Sequence, residues 1–397
     1  MRVRFLLTPW LLVAGAWLGG LPAFAATVSQ EPSVSAPGDY AVLPFPADGR
    51  MGSQTDSRVV ELPDGSLIGS SAYGGRGRGA FGVVYRITSD HRFRALHQFS
   101  NATRATEGGL PSGLTLGADG LIYGVTATGG AEDCGTIFRM TTEGADYRVL
   151  HHFGCYGPEW HSWLVQMPDG DFYGATHSLL FKFTLDGTFT PIEYTIWGSQ
   201  GMFLASNGLL YGVGQSVYGM DDWIYQVVPG DRPIVNVITV LPSLGTHPYG
   251  ASAPPVERDG WLYGVTLSGG AYDEGVVYRI DMDGRRYREI VQFDEKRGTR
   301  AAGPLLLARD GMLYGVATSG GGHTLHSKYG DGTLFLIDGS EHFHRIHSFG
   351  ARIRDGWGPG NSLTQLQDGR LVGTTSFGGG PGDGPGTVFS YEAAEGQ

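Results

Sequence analysis

Apolar and polar residues alternate along this chain in short runs, and each run ends at a glycine-bearing turn. The stretch from Leu110 to Phe153 shows the pattern best. It contains Gly-Leu-Thr-Leu-Gly-Ala-Asp-Gly, then Leu-Ile-Tyr-Gly-Val-Thr-Ala-Thr-Gly-Gly, then Gly-Thr-Ile-Phe-Arg-Met, then Tyr-Arg-Val-Leu-His-His-Phe. Period-two alternation predicts strands, and the intervening Asp-Gly, Gly-Gly and Glu-Gly pairs supply the positive φ of tight hairpin turns. The stretch therefore predicts one four-stranded antiparallel unit.

The turn that follows the first run recurs along the chain. It appears at Asp64, Asp119, Asp169, Asn207, Asp259, Asp310 and Asp368, at spacings of 55, 50, 38, 52, 51 and 58 residues. Seven imperfect copies of a four-strand unit describe a repeat architecture whose units bury their faces against neighbours. The last copy, from Leu363 to Tyr391, has three runs and stops. Its missing run is found at the other end of the chain. Asp39-Tyr40-Ala41-Val42-Leu43-Pro44-Phe45 matches Asp146-Tyr147-Arg148-Val149-Leu150-His151-His152-Phe153 at the Asp, Tyr, Val and Leu positions. The expected fold is all-β, a seven-bladed β-propeller in which the N-terminal strand closes the last blade and removes a free sheet edge.

Composition agrees and adds an address. The chain has 66 Gly among 397 residues and 17% charged residues, as a turn-dense β protein requires, while 12% aromatics exclude a disordered chain. Residues 1–25 read as a signal peptide: Arg2 and Arg4, an apolar stretch from Phe5 to Leu21, then Ala23-Phe24-Ala25. Pro9 and the Gly/Pro residues near its end leave the run too short for a membrane anchor. Residues 26–38 are expected to form a flexible leader, and 39–397 a single propeller domain. The mature protein is expected to be secreted or periplasmic, monomeric and without a membrane span. A net charge of −11 argues against nucleic-acid partners. It leaves room for an anionic substrate in a local basic pocket, because overall charge does not set the sign of one cleft.

The repeat itself, Asp-Gly-x-Leu-Tyr-Gly-x-Thr-x-x-Gly-Gly, then Gly-Thr-Val-Phe or a variant, then Leu-His-x-Phe, resembles the GloVer tandem repeat of exported bacterial proteins. The match is strongest in the units at Asp119, Asp259, Asp310 and Asp368. The resemblance implies export and a propeller, but no single activity. The architecture is also similar to that of secreted seven-bladed polysaccharide lyases such as ulvan lyases. That similarity implies His and Tyr removing the proton beside a uronate, with a basic residue neutralising its carboxylate.

Alternate turns of a propeller blade fall on opposite faces. The short Asp-Gly turns lie on one, and the Gly-Gly loops and long blade-to-blade connections on the other, where function is expected. Residues that recur at one repeat position, such as Tyr123, Tyr173, Tyr211, Tyr263 and Tyr314, or His97, His151 and His347, read as packing. Departures from the repeat are better candidates. The Asp169 unit has lost its Gly-Gly loop, passing from strand to strand through Thr176-His177-Ser178-Leu179, which predicts a notch in the long-loop rim. Beside it run Cys155 to Trp163 and Gln215 to Trp223. His161, His177 and Tyr218 are the expected acid–base groups, and Tyr156, Trp160, Trp163 and Trp223 the expected sugar-stacking walls. A second substrate-binding candidate is the insertion carrying His323 and Lys328. His323-x-x-His326 with Asp331 falls short of a fixed metal set, so no metal or cofactor is expected. Arg76 and Arg78 in the first Gly-Gly loop read as solvated charge.

Regular pairing about a hairpin centred near residues 143–144 sets Cys134 opposite residue 153, two residues from Cys155. A disulfide is expected, with a zinc site using His151 or His152 as the alternative. The expected function is a secreted carbohydrate-active propeller, specifically a lyase on a uronate-containing polysaccharide that binds polysaccharide or oligosaccharide. The alternative is a non-catalytic glycan- or protein-binding propeller of the cell envelope.

Overall fold

The structure, a computed structural model, describes residues 40–48, 51–52, 58–75, 79–155, 164–193, 196–199, 201–215, 222–241, 250–251, 253–322, 324–328, 330–380 and 384–393. The expected signal peptide and leader, and Arg76 and Arg78, lie outside them. Among the described residues no helix is long and apolar enough to cross a membrane.

Seven antiparallel sheets follow one another along the chain, six of four strands and one of five. Blades 1 to 6 span residues 60–100, 109–152, 165–193, 202–240, 256–292 and 306–348. Blade 7 combines residues 356–391 with the strand Tyr40–Pro44, which pairs antiparallel with Thr387–Tyr391 in the register Tyr40↔Tyr391 to Pro44↔Thr387. The chain is a seven-bladed β-propeller closed by its N-terminal strand. One element absent from the sequence expectation is a single helical turn, Arg104–Glu107, in the connection from blade 1 to blade 2.

The alternation explains the ring. Ile122 and Tyr123 are neighbours on the second strand of blade 2, so they point to opposite faces. Ile122 packs in the cluster shared with blade 1, and Tyr123 in the cluster shared with blade 3. The same division gives an apolar cluster at every one of the seven blade junctions, the last joining Phe45 and Val388 to Val59 and Tyr85. Polar latches reinforce the junctions at the Asp-Gly end. Gln166 Oε1 accepts the Ala118 N–H at 2.8 Å, and Glu61 Oε2 accepts the Gln367 N–H at 2.7 Å, tying blade 7 to blade 1.

The Tyr-Gly step of the repeat has a packing cause. The glycine of the second strand lies across from an aromatic ring of the third in all seven blades, as in Gly124↔Phe138 and Gly212↔Tyr225. A Cβ on Gly124 would stand 2.4 Å from Phe138 Cζ, and one on Gly212 2.3 Å from the Tyr225 hydroxyl. The ring lies over the missing side chain, so glycine is required for space and not for backbone freedom.

Cys134 and Cys155 form a disulfide, with Cα atoms 5.3 Å apart. The hairpin that carries them is not regular. A bulge between Ile137 and Phe138 moves the pairing from Phe138↔Val149 to Ile137↔His151 and Thr136↔His152. Continuing that register sets Cys134 one residue nearer Cys155 than regular pairing does. The same bulge occurs between the third and fourth strands of blades 1 to 6.

Candidate functional site

The recurrent histidines and tyrosines are structural. His97 stacks on Tyr147 and His151 on Phe189, each with centroids 3.9 Å apart and 5° between planes. In each pair the histidine of one blade's outer strand covers the aromatic of the next. The repeat tyrosines are buried, and Tyr123 and Tyr314 each donate to the aspartate of their own Asp-Gly turn at 2.8 Å.

The shortened loop of blade 3 is present. The second strand ends at Ala175, the third begins at Leu180, and a Thr176 N–H to Leu179 O bond of 2.8 Å closes the turn. His177 stands half-buried at its tip, its carbonyl accepting the Gly198 N–H at 2.6 Å. Its ring is 6.1 Å from that of Trp197, centroid to centroid, and makes no ion pair among the described residues. Desolvation holds its pKa below the ordinary value, so the imidazole is neutral at neutral pH. Trp197 is 38% exposed and bridges to Gln215.

The neighbouring carboxylate is committed elsewhere: Asp222 accepts the N–H groups of Gly250 and Ala251 at 2.9 and 3.0 Å, anchoring the way into blade 5. Trp223 is half-buried. It packs against the apolar cluster between blades 3 and 4. Tyr156, Trp160, His161, Trp163 and Tyr218 lie outside the described residues, so of the expected acid–base groups the structure describes His177, whose ring lies near that of Trp197.

The blade 6 insertion is a separate place, three blades around the ring from His177. Asp331 is engaged by its own loop and by the entry to blade 7. Its carboxylate bonds the Thr324 hydroxyl, and its carbonyl accepts the Gly358 N–H at 3.1 Å. His326 stacks over Trp357, which stacks on Phe377 at 4.2 Å. Lys328 is exposed, and His323 lies outside the described residues. Among the described residues no group of three or more His, Cys, Asp or Glu is placed to hold a metal ion.

The axis of the ring holds a feature outside the expected notch. The innermost strands of all seven blades enclose a channel of about 790 Å³, lined by residues such as Val60, Phe203, Val256 and Leu306. Arg58 lines it just before the first inner strand, hence at its long-loop end. A sequence signal for it exists. Six residues ahead of the turn's Asp or Asn (five in the Asp259 unit), the other units carry Gly113, Trp163, Gly201, Pro254, Pro304 and Ser362, and only this one carries a charge.

The Gloeobacter/Verrucomicrobia repeat matches the chain twice, over residues 34–222 and 198–397. The chain belongs to this repeat family. No curated protein matches it. Among solved structures, the repeat-family chain is similar to virginiamycin B lyase from Staphylococcus aureus, at 13% identity over 89% of this chain and 100% of that one, with a TM-score of 0.60. A streptogramin B lyase gives 10% identity, 89% and 97% coverage and a TM-score of 0.58. The extracellular domain assigned to a one-component system of B. thetaiotaomicron gives 10%, 89% and 39%, with a TM-score of 0.60. At such identities the likeness shows the propeller fold alone.

Proposed function

We propose that this protein acts outside the cytoplasm as a carbohydrate-binding propeller, taking its ligand on the long-loop face. The observation that carries the reading is the His177–Trp197 pair. A half-exposed indole and a neutral imidazole sit at the rim where one Gly-Gly loop is missing. An aromatic face with few polar groups suits a sugar ring. The disulfide fits an oxidising compartment. Binding is favoured over elimination because the described part of the notch holds no cation for a uronate carboxylate, and Asp222 is engaged by backbone N–H groups.

A lyase on a uronate-containing polysaccharide is the second reading. What favours it is that same neutral His177, which is in the protonation state a general base needs. The test is incubation of the purified protein with a panel of polysaccharides, following retention in affinity electrophoresis, new unsaturated ends and reducing sugar together. Retention of one polysaccharide without new ends, weakened by His177→Ala, is expected. New unsaturated ends, lost by about 10²–10⁴-fold in His177→Ala, would establish the lyase instead. Retention of none would overturn the carbohydrate reading.

A further inference from the structure

The central channel holds a cation that nothing described in the molecule answers. Arg58 lines the cavity and makes no ion pair or hydrogen bond among the described residues. Arg58 is exposed to the channel, while the protein around it partly desolvates the guanidinium and pulls its pKa below the ordinary value. The other polar groups of the channel are engaged. Glu61, three residues further along extended chain, accepts the Gln367 N–H at 2.7 Å at the opposite end, where its charge acts on Arg370. Gln166 and Gln365 accept the N–H groups of Ala118 and Arg309 at 2.8 and 2.9 Å. The hydroxyls of Thr115 and Thr364 each donate to a neighbouring inner strand at 2.7 Å. The exception is Ser362, at the repeat step equivalent to Arg58 on the adjacent inner strand, whose hydroxyl has no partner among the described residues.

We propose that the channel is an anion-recognition site in which Arg58, assisted by the Ser362 hydroxyl, holds the carboxylate of an acidic sugar at the end of a bound glycan. The choice of a sugar carboxylate rests on the carbohydrate reading above; the anion site does not. Arg58 is exposed to the channel and has no carboxylate partner among the described residues, so its guanidinium can take an incoming oxyanion. The planar guanidinium fork matches a carboxylate with two parallel bonds. The cavity volume falls within the range of small-ligand pockets, roughly 300–1,000 Å³, and apolar walls such as Phe203, Pro254 and Pro304 suit the sugar's body. Arg58 and Ser362 precede the inner strands of their blades, at the long-loop end of the channel, so a ligand entering by that mouth meets them first.

The experiment is calorimetric titration of wild type, Arg58→Gln, Arg58→Lys and Ser362→Ala. The probes are a glucuronate-terminated oligosaccharide and its neutral glucose-terminated counterpart, with thermal melts in sodium sulfate alongside. Wild type is expected to bind the acidic probe about tenfold or more tighter than the neutral one, a difference that shrinks with salt. Arg58→Gln is expected to erase that difference and leave the neutral probe unaffected, Arg58→Lys to keep part of it, and Ser362→Ala to weaken the acidic probe a few-fold. Arg58→Gln should melt no lower than wild type, since Arg58 is exposed and makes no ion pair or hydrogen bond among the described residues. Should it fail to fold, the Lys and Ala variants decide the matter by the same comparison. If sulfate raises the melting temperature of wild type but not of Arg58→Gln, and neither sugar binds, the anion site stands and the carbohydrate reading fails. If sugars and sulfate act alike on wild type and the variants, or act on none of them, the proposal is wrong.

Discussion

The ring of His347 lies face to face on that of Tyr40, with centroids 3.8 Å apart and 18° between planes. Both residues reach one buried carboxylate. The Tyr40 hydroxyl donates to Asp355 Oδ1 at 3.0 Å, and His347 Nε2 stands 2.9 Å from Asp355 Oδ2. Tyr40 comes from the closing strand and the other two from the last third of the chain, so this cluster joins the ends of the ring. It repeats the stack of His97 on Tyr147, where Glu107 lies 3.3 Å from the imidazole.

Tyr40→Phe keeps the stack and removes the bond to Asp355. It is expected to cost about 1.5–3 kcal/mol, the usual range for a hydrogen bond to a charged group. Tyr40→Ala removes the ring as well and should cost about 3–5 kcal/mol. Urea denaturation measures both. A Tyr40→Ala midpoint equal to that of wild type would mean that the closing strand contributes nothing to the ring. Deleting residues 26–45 should cost solubility in addition, because it uncovers the edge of Thr387–Tyr391.

Gly124→Ala tests the covered glycine. The added methyl meets Phe138 Cζ at 2.4 Å and Leu114 Cδ2 at 2.8 Å, so the ring must move. The expected loss is about 1–3 kcal/mol, typical of overpacking. Phe138→Leu in the same chain should recover part of it, and a double-mutant cycle reads the coupling. Gly120→Ala is the contrast: nothing lies within 4 Å of its Cβ, and only its φ of 77° opposes the change.

The ring was legible in the sequence because its cause is local. Each unit spells its own alternation and turns, and Tyr40, Val42 and Leu43 carry the fourth-strand pattern to the wrong end of the chain. The cysteine pairing was legible too, but not its register, because the bulge at Ile137 adds a residue to the outer strand that no turn dipeptide announces. The blade 3 loop deletion could be read directly, whereas the engagement of Asp222 could not. Its partners Gly250 and Ala251 lie a whole connection away. Arg58 is illegible for a related reason. Its lack of a partner among the described residues follows from where Glu61 points, which is set by Gln367 at the other end of the chain.

Stability should fall with mild acid. Burial against Phe189, and secondarily the charge of His152, push the His151 pKa down to about 4, below its unfolded value near 6.5. The unfolded chain therefore takes up a proton before the folded one. Stability from the neutral ring is fully present above pH 6.5 and is lost progressively as pH falls toward 4. His177, also depressed by desolvation, acts in the same direction. His151→Phe keeps a ring on Phe189 and cannot protonate. Its denaturation midpoint should decline less between pH 7 and pH 4 than that of wild type, and an unchanged decline would remove His151 from the account.

The outer strand of blade 4 differs from the other six. Ile234–Val240 reads Ile-Val-Asn-Val-Ile-Thr-Val, with no charge and no proline. The other outer strands carry Arg94, Arg148, Pro191 with Glu193, Arg288 with Glu289, Arg345, and Pro44. Such residues protect a free edge, because a second strand cannot pair there without burying a charge or losing a bond. On blade 4, Ile234, Val237 and Val240 are 58%, 46% and 51% exposed. An uncharged β-branched edge of this length is a template for edge-to-edge pairing when the protein is concentrated or warmed. Val237→Lys places a charge at its centre, on a side chain already half in solvent, so the melting temperature should hardly change. The onset of light scattering on heating should move to higher temperature or higher protein concentration. Scattering that sets in at the same point in wild type and Val237→Lys would mean that aggregation starts elsewhere and that this edge is already protected.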